Sequence, residues 1–135
     1  MPVWTQTLAI GIAEIDRQHR ALFERAAKFE AAVKARKPAY HLEELFSYLE
    51  HHMQTHFEAE ERFMRERGYP HLAEHLKEHL EFKRTLHSLL PHWESEGESP
   101  ALVMALVGLL DQWLTEHVST SDRDFGEFMS KPGVG

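Results

Sequence analysis

The fold is decided by residues 56–79, which read HFEAEERFMRERGYPHLAEHLKEH. Two pairs of side chains with metal-ligand chemistry lie on either side of a Gly-Tyr-Pro sequence, and each pair is spaced four residues apart: His56/Glu60 and His75/His79. On an α-helix, a four-residue step returns to nearly the same face, about 6 Å further along the axis. Because the Gly-Tyr-Pro break is short, the stretch predicts an antiparallel helix hairpin whose two pairs face each other near the turn. Such pairs can close on one metal ion or on two adjacent ions.

The composition indicates one domain, residues 1–135, that can bury a core, because 42% of its residues are hydrophobic. The net charge of −7, with acidic and basic residues interspersed, argues against nucleic acid or a membrane surface as a partner. The chain has no cysteine, which excludes disulfides and thiolate metal sites and fits a cytoplasmic location. The N-terminal stretch has no basic region and only a six-residue apolar run, so it predicts neither a signal peptide nor a membrane span.

The apolar periodicity predicts four helices, at about residues 12–37, 40–67, 71–93 and 100–118. Short turns between long helices are typical of an all-α, up-down-up-down four-helix bundle. Pro38 is expected to end the first helix and Pro70 to begin the third. Residues 1–11 are expected to form an extended arm, and a short C-terminal helix is predicted through Phe125 and Phe128.

Polar side chains interrupt the apolar stripe of each predicted helix. In helix order they are His19; His56 and Glu60; His75 and His79; and His117. In an up-down bundle, all six fall near the same end. Because buried polar groups destabilise a fold unless they find partners, these side chains are predicted to converge at one level of the core.

Imidazole and carboxylate ligands together suit iron, zinc, copper or nickel. Five histidines exceed the four ligands of one tetrahedral zinc, but they suit two metal ions that carboxylates bridge. Glu60 is one candidate bridge, and Asp122, five residues after His117, is the other. A five-residue step leads to a different face of an ideal α-helix, so the fourth helix is expected to end, or to widen into a π-bulge, between these two residues.

Four motifs follow one another in a distinctive order: Asp16-Arg17-Gln18-His19, His56-Phe57-x-x-Glu60-Glu61, Tyr69-Pro70 with His75-x-x-x-His79, and Trp113-Leu114-x-x-His117-x-x-x-x-Asp122. Together they resemble the hemerythrin family, in particular the single-domain bacterial hemerythrins. The resemblance extends from Trp4 to Phe128 and includes every ligand position.

The resemblance implies a centre of two iron ions (Fe2+/Fe3+), bridged by two carboxylates and by an oxo or hydroxo group. The ligands of one iron would be His75, His79 and His117, and those of the other would be His19 and His56. Glu60 and Asp122 would bridge the two irons. O2 would bind as hydroperoxide at the open position of the two-histidine iron. Apolar side chains near that position are predicted to form the O2 pocket, namely Leu22, Phe57, Trp113, Leu114 and Val118. Each ligating histidine also needs an acceptor for its other N–H, for which Gln18 and Asp16 are candidates.

The function implied is reversible O2 binding for carriage, storage or delivery, with no enzymatic activity. Two carboxylates supply fewer anionic ligands than the Glu-rich ferritin-like centres, which favours O2 carriage over O2 cleavage. The alternative is sensing of O2 or redox state, or handling of nitric oxide or peroxide, by the same centre. A protein that accepts O2 is an expected partner, and the polar outer faces predict a monomer.

Two other interpretations fit less of the sequence. Residues 71–75 and 75–79 match the H-x-x-E-H pattern of zinc peptidases, but this leaves His19, His56 and His117 without a role. A purely structural bundle leaves all the buried histidines unexplained. The remaining histidines lie off the apolar stripes and are expected to be surface residues or satisfied core residues: His41, His51, His52, His71, His87 and His92.

Overall fold

Apolar steps of three and four residues produce four helical rods in the computed structural model, which describes residues 1–37 and 39–131. The rods are α1 (Ala13–Lys34); α2 (Ala39–His52) with α3 (Glu58–Arg67); α4 (Leu72–Glu96); and α5 (Pro100–Gln112) with α6 (Arg123–Ser130). Two π-helical segments, Met53–Phe57 and Trp113–Asp122, join α2 to α3 and α5 to α6. Helix α1 packs against α2 and α5, and α4 packs against α3 and α5, so the predicted all-α four-helix bundle is confirmed.

The helix ends follow local chemistry. Gly68 adopts a left-handed conformation, with φ of 65°, and ends α3, while the N–H of Tyr69 bonds to the carbonyl of Met64. At the start of α5, the Ser99 hydroxyl accepts a hydrogen bond from the N–H of Leu102 at 3.1 Å.

Some predicted boundaries shift in the structure. Helix α4 begins at Leu72, two residues after Pro70, and continues through Pro91 to Glu96. The predicted C-terminal helix is α6, which continues the fourth rod through the π-helical segment. The role predicted for Pro38 falls outside the described residues.

The N-terminal arm is mostly extended, with one 3-10 turn at Gln6–Leu8. The N–H groups of Ile10 and Gly11 donate to the Asp16 carboxylate at 2.8 and 3.3 Å, which fixes the arm to the first turn of α1. The arm also lies close against α6. A Cβ atom added to Gly126 would lie 2.9 Å from Cβ of Ile10, so this approach requires glycine.

Buried apolar side chains form two clusters. The larger cluster occupies most of the bundle, whereas the smaller one lies at the end near the α3–α4 turn and consists of Ile10, Ile15, Ala59, Met64, Tyr69 and Phe125. Along α1, His19 lies between Ile15 of the smaller cluster and Leu22 of the larger one. The second and fourth rods show the same order, so a polar layer is enclosed between two apolar layers. Within the described ranges, no helix has both the length and the apolar character needed to cross a bilayer.

Candidate metal centre

The polar layer brings together seven side chains with metal-ligand chemistry, one or two from each of the four rods. Each is at most 2% exposed, and together they are His19, His56, Glu60, His75, His79, His117 and Asp122. These are the seven residues that the sequence nominates as ligands, and the structure places all of them in one site. Their role as ligands stays a prediction.

The five histidines form two groups, which lie on opposite sides of the two carboxylates. We call them the three-histidine group, His75, His79 and His117, and the two-histidine group, His19 and His56. The ligand atoms of the three-histidine group and Glu60 all lie within 4.8 Å of one another. The same limit holds for the ligand atoms of the two-histidine group, Glu60 and Asp122.

Each carboxylate divides its two oxygens between the groups. Oε1 of Glu60 contacts Nε2 of His75, whereas Oε2 lies 3.2 Å from Nε2 of His56. In the same way, Oδ1 of Asp122 lies 2.8 Å from Nε2 of His75, whereas Oδ2 lies 3.0 Å from Nε2 of His19. A carboxylate placed in this way can bridge two cations.

The second π-helical segment explains how Asp122 reaches the centre. Hydrogen bonds in a π-helix join residues five apart, so a five-residue step brings His117 and Asp122 onto one face. The hydroxyl of Ser119 also donates to the carbonyl of Leu114, five residues earlier, at 2.6 Å. Of the two outcomes expected from the sequence, the widened helix is the one the structure shows. The first π-helical segment places His56 in the same polar layer.

Three of the five histidines direct Nε2 inward and hold Nδ1 with an acceptor outside the seven residues. Such bonds fix the ring orientation and make Nε2 the ligand atom. The acceptors are Gln18 Oε1 for His56 at 2.7 Å, Glu61 Oε2 for His79 at 2.7 Å, and Glu78 Oε1 for His117 at 3.1 Å.

The sequence predicts only some of these Nδ1 acceptors. Gln18 is confirmed as an acceptor, but Asp16 is wrong, because its carboxylate accepts from the backbone of the N-terminal arm instead. Glu61 and Glu78 were missed. Each is adjacent in sequence to a centre residue, and that adjacency is the signal that could have indicated them.

The carboxylates carry buried negative charge that must be offset. Burial alone would raise the pKa of Glu60, but the surrounding histidines, His56 foremost, hold it well below its ordinary value. Burial and the charge of Glu60 likewise oppose ionisation of Asp122, yet the nearby histidines lower its pKa. Conversely, burial would lower the pKa of His19, but the two carboxylates raise it to about 9. The centre therefore requires positive charge, from protons or from metal cations.

The unpaired atoms of the centre test whether a metal fits. Several buried atoms of the centre have no aligned hydrogen bond to any described residue, among them Oε2 of Glu60, Nε2 of His117 and both carboxylate oxygens of Asp122. The Asp122 oxygens lie 2.8 Å from Nε2 of His75 and 3.0 Å from Nε2 of His19. These atoms are close enough for hydrogen bonds, but they are not aligned to form them. Nitrogen and oxygen lone pairs that converge in this way suit a metal cation, and the donor set of imidazoles and carboxylates suits iron among others.

The five residues predicted to form an O2 pocket are all buried in the larger apolar cluster: Leu22, Phe57, Trp113, Leu114 and Val118. Two of them lie flat against the three-histidine group. The ring of Phe57 stacks on His79 with centroids 4.0 Å apart, and Trp113 stacks on His117 at 3.7 Å. Leu22 instead follows His19 by three residues along α1. Their role in O2 binding stays a prediction.

The other histidines divide into two kinds. As expected, His51, His71, His87 and His92 are exposed, and the side chain of His41 lies outside the described residues. His52 contradicts the expectation, because it is only 3% exposed and its Nε2 has no partner among the described residues. His52 precedes His56 by four residues and therefore shares its buried face, which is wider than a single apolar stripe. Burial, with a smaller effect from His56, keeps the pKa of His52 well below its ordinary value, so the ring is neutral.

Known proteins similar to this chain agree with a cation-binding centre. A family model described as "Hemerythrin HHE cation binding domain" matches residues 10–128, which include all seven side chains. A bacteriohemerythrin of Stenotrophomonas maltophilia is 32% identical over 93% of this chain and 79% of its own length. One of Clostridium acetobutylicum is 27% identical over 93% of this chain and 98% of its own length. A myohemerythrin of Riftia pachyptila is 31% identical over 89% of this chain and 87% of its own length.

Proposed function

The chain belongs to the hemerythrin family, and we propose that it binds O2 reversibly at a centre of two non-haem iron ions held by the seven buried side chains. The observation that carries this proposal is the division of the carboxylate oxygens. Glu60 and Asp122 each present one oxygen to the three-histidine group and the other to the two-histidine group. That geometry suits two cations better than one.

The two groups would hold the two irons unequally. The three-histidine group supplies one nitrogen more than the two-histidine group, so an iron held by the two-histidine group would have a coordination position left for a small ligand. When bound, two ferrous ions would supply the two electrons and the open position that reversible O2 binding requires. Gln18, Glu61 and Glu78 would hold the ligating rings in place through Nδ1.

The protein around the centre would admit O2 and exclude water. The polar layer lies between two apolar clusters, and the side chains that continue into the larger one, such as Leu22 and Leu114, are fully buried. A neutral molecule crosses such a layer at little cost, whereas ions and strongly hydrated groups do not. This favours binding and release of O2 over its consumption, so we propose carriage, storage or delivery without catalytic turnover.

A monomer is the proposed oligomeric state. The large hydrophobic side chains that are most exposed among the described residues, Val3, Leu80 and Met104, are separated in sequence and lie on three different segments. Scattered apolar side chains of this kind do not form an association surface. Size-exclusion chromatography with light scattering would test this, and a stable dimer at micromolar concentration would contradict it.

The proposal is tested by iron content and by the visible spectrum. We expect two irons per chain, and reduced protein exposed to air should give a stable coloured form that reverses under argon. Asp122→Asn should lower the iron content, whereas Asp124→Asn, at an exposed position two residues away, should not. One metal per chain, or a colourless zinc protein, would contradict the proposal. Rapid irreversible oxidation in air would favour sensing or redox chemistry instead.

A further inference from the structure

His52 is a buried imidazole that the seven-residue centre does not use. Its side chain is 3% exposed, and Nε2 has no hydrogen-bond partner within residues 1–37 and 39–131. Among the described side chains, the other buried polar atoms without partners belong to Trp4 or to the centre itself. Like several centre residues, His52 thus has a buried polar atom that forms no hydrogen bond with the part of the chain that the structure describes.

The ring of His52 extends the two-histidine group toward the larger apolar cluster. It stacks on His56 with centroids 4.6 Å apart and planes 20° apart, and His56 in turn lies 4.6 Å from His19. His52 precedes His56 by one helical turn, so it lies on the side of the centre away from the α3–α4 turn. On α1, Leu22 occupies the corresponding level beyond His19. His52 therefore adds a polar group to an otherwise apolar layer beside the two-histidine group.

A purely structural role does not explain this side chain. A buried nitrogen without a partner destabilises the folded state, and an apolar side chain of similar size would avoid that cost. An imidazole nitrogen can donate or accept one hydrogen bond. His52 lies next to the two-histidine group, where the proposed iron would have an open coordination position. A small molecule bound at that position would supply the partner that Nε2 lacks.

We propose that His52 contacts the exogenous ligand of the two-histidine iron and forms a hydrogen bond to it through Nε2. The inference rests on the proposed function and deepens it, because it assigns a polar residue to the ligand pocket. The class of ligand it favours is a small, anionic or polarised molecule with an atom that can accept a hydrogen bond. Azide, which binds ferric iron and accepts hydrogen bonds, represents this class.

The test is a titration of the iron-loaded ferric protein with sodium azide, followed in the visible spectrum. His52→Leu should weaken azide binding at least about tenfold, the lower limit expected for one hydrogen bond to a charged group. His52→Gln retains a side-chain donor and should recover part of the affinity. Met53→Leu changes the next buried residue at nearly constant volume and should leave azide binding unchanged.

Iron content and the stability of the iron-free protein separate this role from simple packing. We expect two irons per chain in each variant, and a melting temperature of iron-free His52→Leu no lower than that of the wild type. A lower melting temperature together with unchanged azide affinity would show that His52 is structural and overturn the inference. Loss of affinity in His52→Gln equal to that in His52→Leu would also overturn it.

The two proposals can fail separately. A wild type that binds iron and azide, but is not oxygenated reversibly, would contradict the proposed function, and the azide comparison would still decide the role of His52. Equal azide affinities in the wild type and His52→Leu, with reversible oxygenation intact, would overturn the His52 inference alone. A wild type that binds no iron would overturn both.

Discussion

Leu22→Ala is expected to keep both irons but to shorten the lifetime of the oxygenated form. Leu22 is completely buried and lies three residues after His19, in the apolar layer beside the two-histidine group. Truncation to alanine would open this layer next to the position proposed for O2. A void there that holds even one water molecule would bring a proton source to the bound ligand and promote oxidation of the irons.

The effect on stability can be set apart from the effect on oxidation. Truncation of a fully buried leucine costs about 2.7–5.0 kcal/mol, which is less than the stability of most domains, about 5–15 kcal/mol. Leu86 is also 0% exposed and belongs to the same cluster, but it lies on α4 seven residues beyond His79. Leu86→Ala should therefore lose a similar amount of stability without opening the layer at the two-histidine group.

The assay compares the decay of the oxygenated visible band in air-saturated buffer among the wild type, Leu22→Ala and Leu86→Ala. Denaturant unfolding of the same samples measures the stability loss, and iron analysis confirms equal loading. A shorter lifetime in Leu22→Ala alone is the expected result. Equal shortening in both variants, or an unchanged lifetime in Leu22→Ala, would refute the reasoning and place the O2 position elsewhere.

Three further predictions address packing, ring orientation and charge. Gly126→Ala should destabilise the protein in denaturant unfolding, because overpacking against the arm costs about 1–3 kcal/mol and outweighs a helix-propensity gain of about 1 kcal/mol. Gly108→Ala, which meets open space, should instead stabilise it by about 1 kcal/mol, and a shared sign would contradict this account. Glu61→Leu should weaken iron binding roughly 10- to 100-fold in chelator competition, because it removes the acceptor that holds the ring of His79, a proposed ligand. Glu58→Leu, at an exposed position on the same helix, should have no such effect; equal losses would mean that Glu61 acts only through surface charge. In the iron-free protein, three centre histidines have pKa values raised from 6.5, two of them to about 9, so the folded state keeps protons that the unfolded state releases. Its stability in thermal melts should therefore fall as the pH rises from about 6.5 toward 9, and the iron-loaded protein should lack this fall; a flat iron-free profile would show that these rings are not protonated.

The sequence predicts the bundle because helical periodicity is a local property. The stripes of the four rods, and the positions at which histidines interrupt them, depend only on residue spacing. Asp122 was harder, since a five-residue step has two physical solutions, and only the structure shows that the helix widens instead of ending. The predicted range of the third helix, 71–93, already includes Pro91, but α4 ends three residues later, at Glu96, because the positive φ of Gly97 and not the last apolar residue marks its end.

Contacts between rods are what the sequence could not supply. Glu78 meets His117 across 39 residues of chain; its position next to His79 can indicate an acceptor, but not that the partner is His117. Phe57 and Trp113 lie on or beside the predicted apolar stripes. Which histidine each ring covers depends on side-chain rotamers, which residue spacing does not determine. A single apolar stripe leaves His52 outside the predicted buried face of the second helix, whereas the face that is buried in the structure is wide enough to include it.

The second π-helical segment constrains how the length of this chain can vary. The segment already holds one residue more per turn than an α-helix, and each residue of an α-helix turns the chain by about 100°, so insertion of one further residue between His117 and Asp122 would rotate all of α6 by roughly that angle relative to α5. Phe125 would leave the smaller cluster, and Gly126 would no longer face the arm. The loop at residues 97–99, in contrast, joins two helix ends and can absorb an insertion locally. In the fourth rod, a longer spacing between the two ligand-type side chains would therefore disturb the packing of α6 as well as the centre.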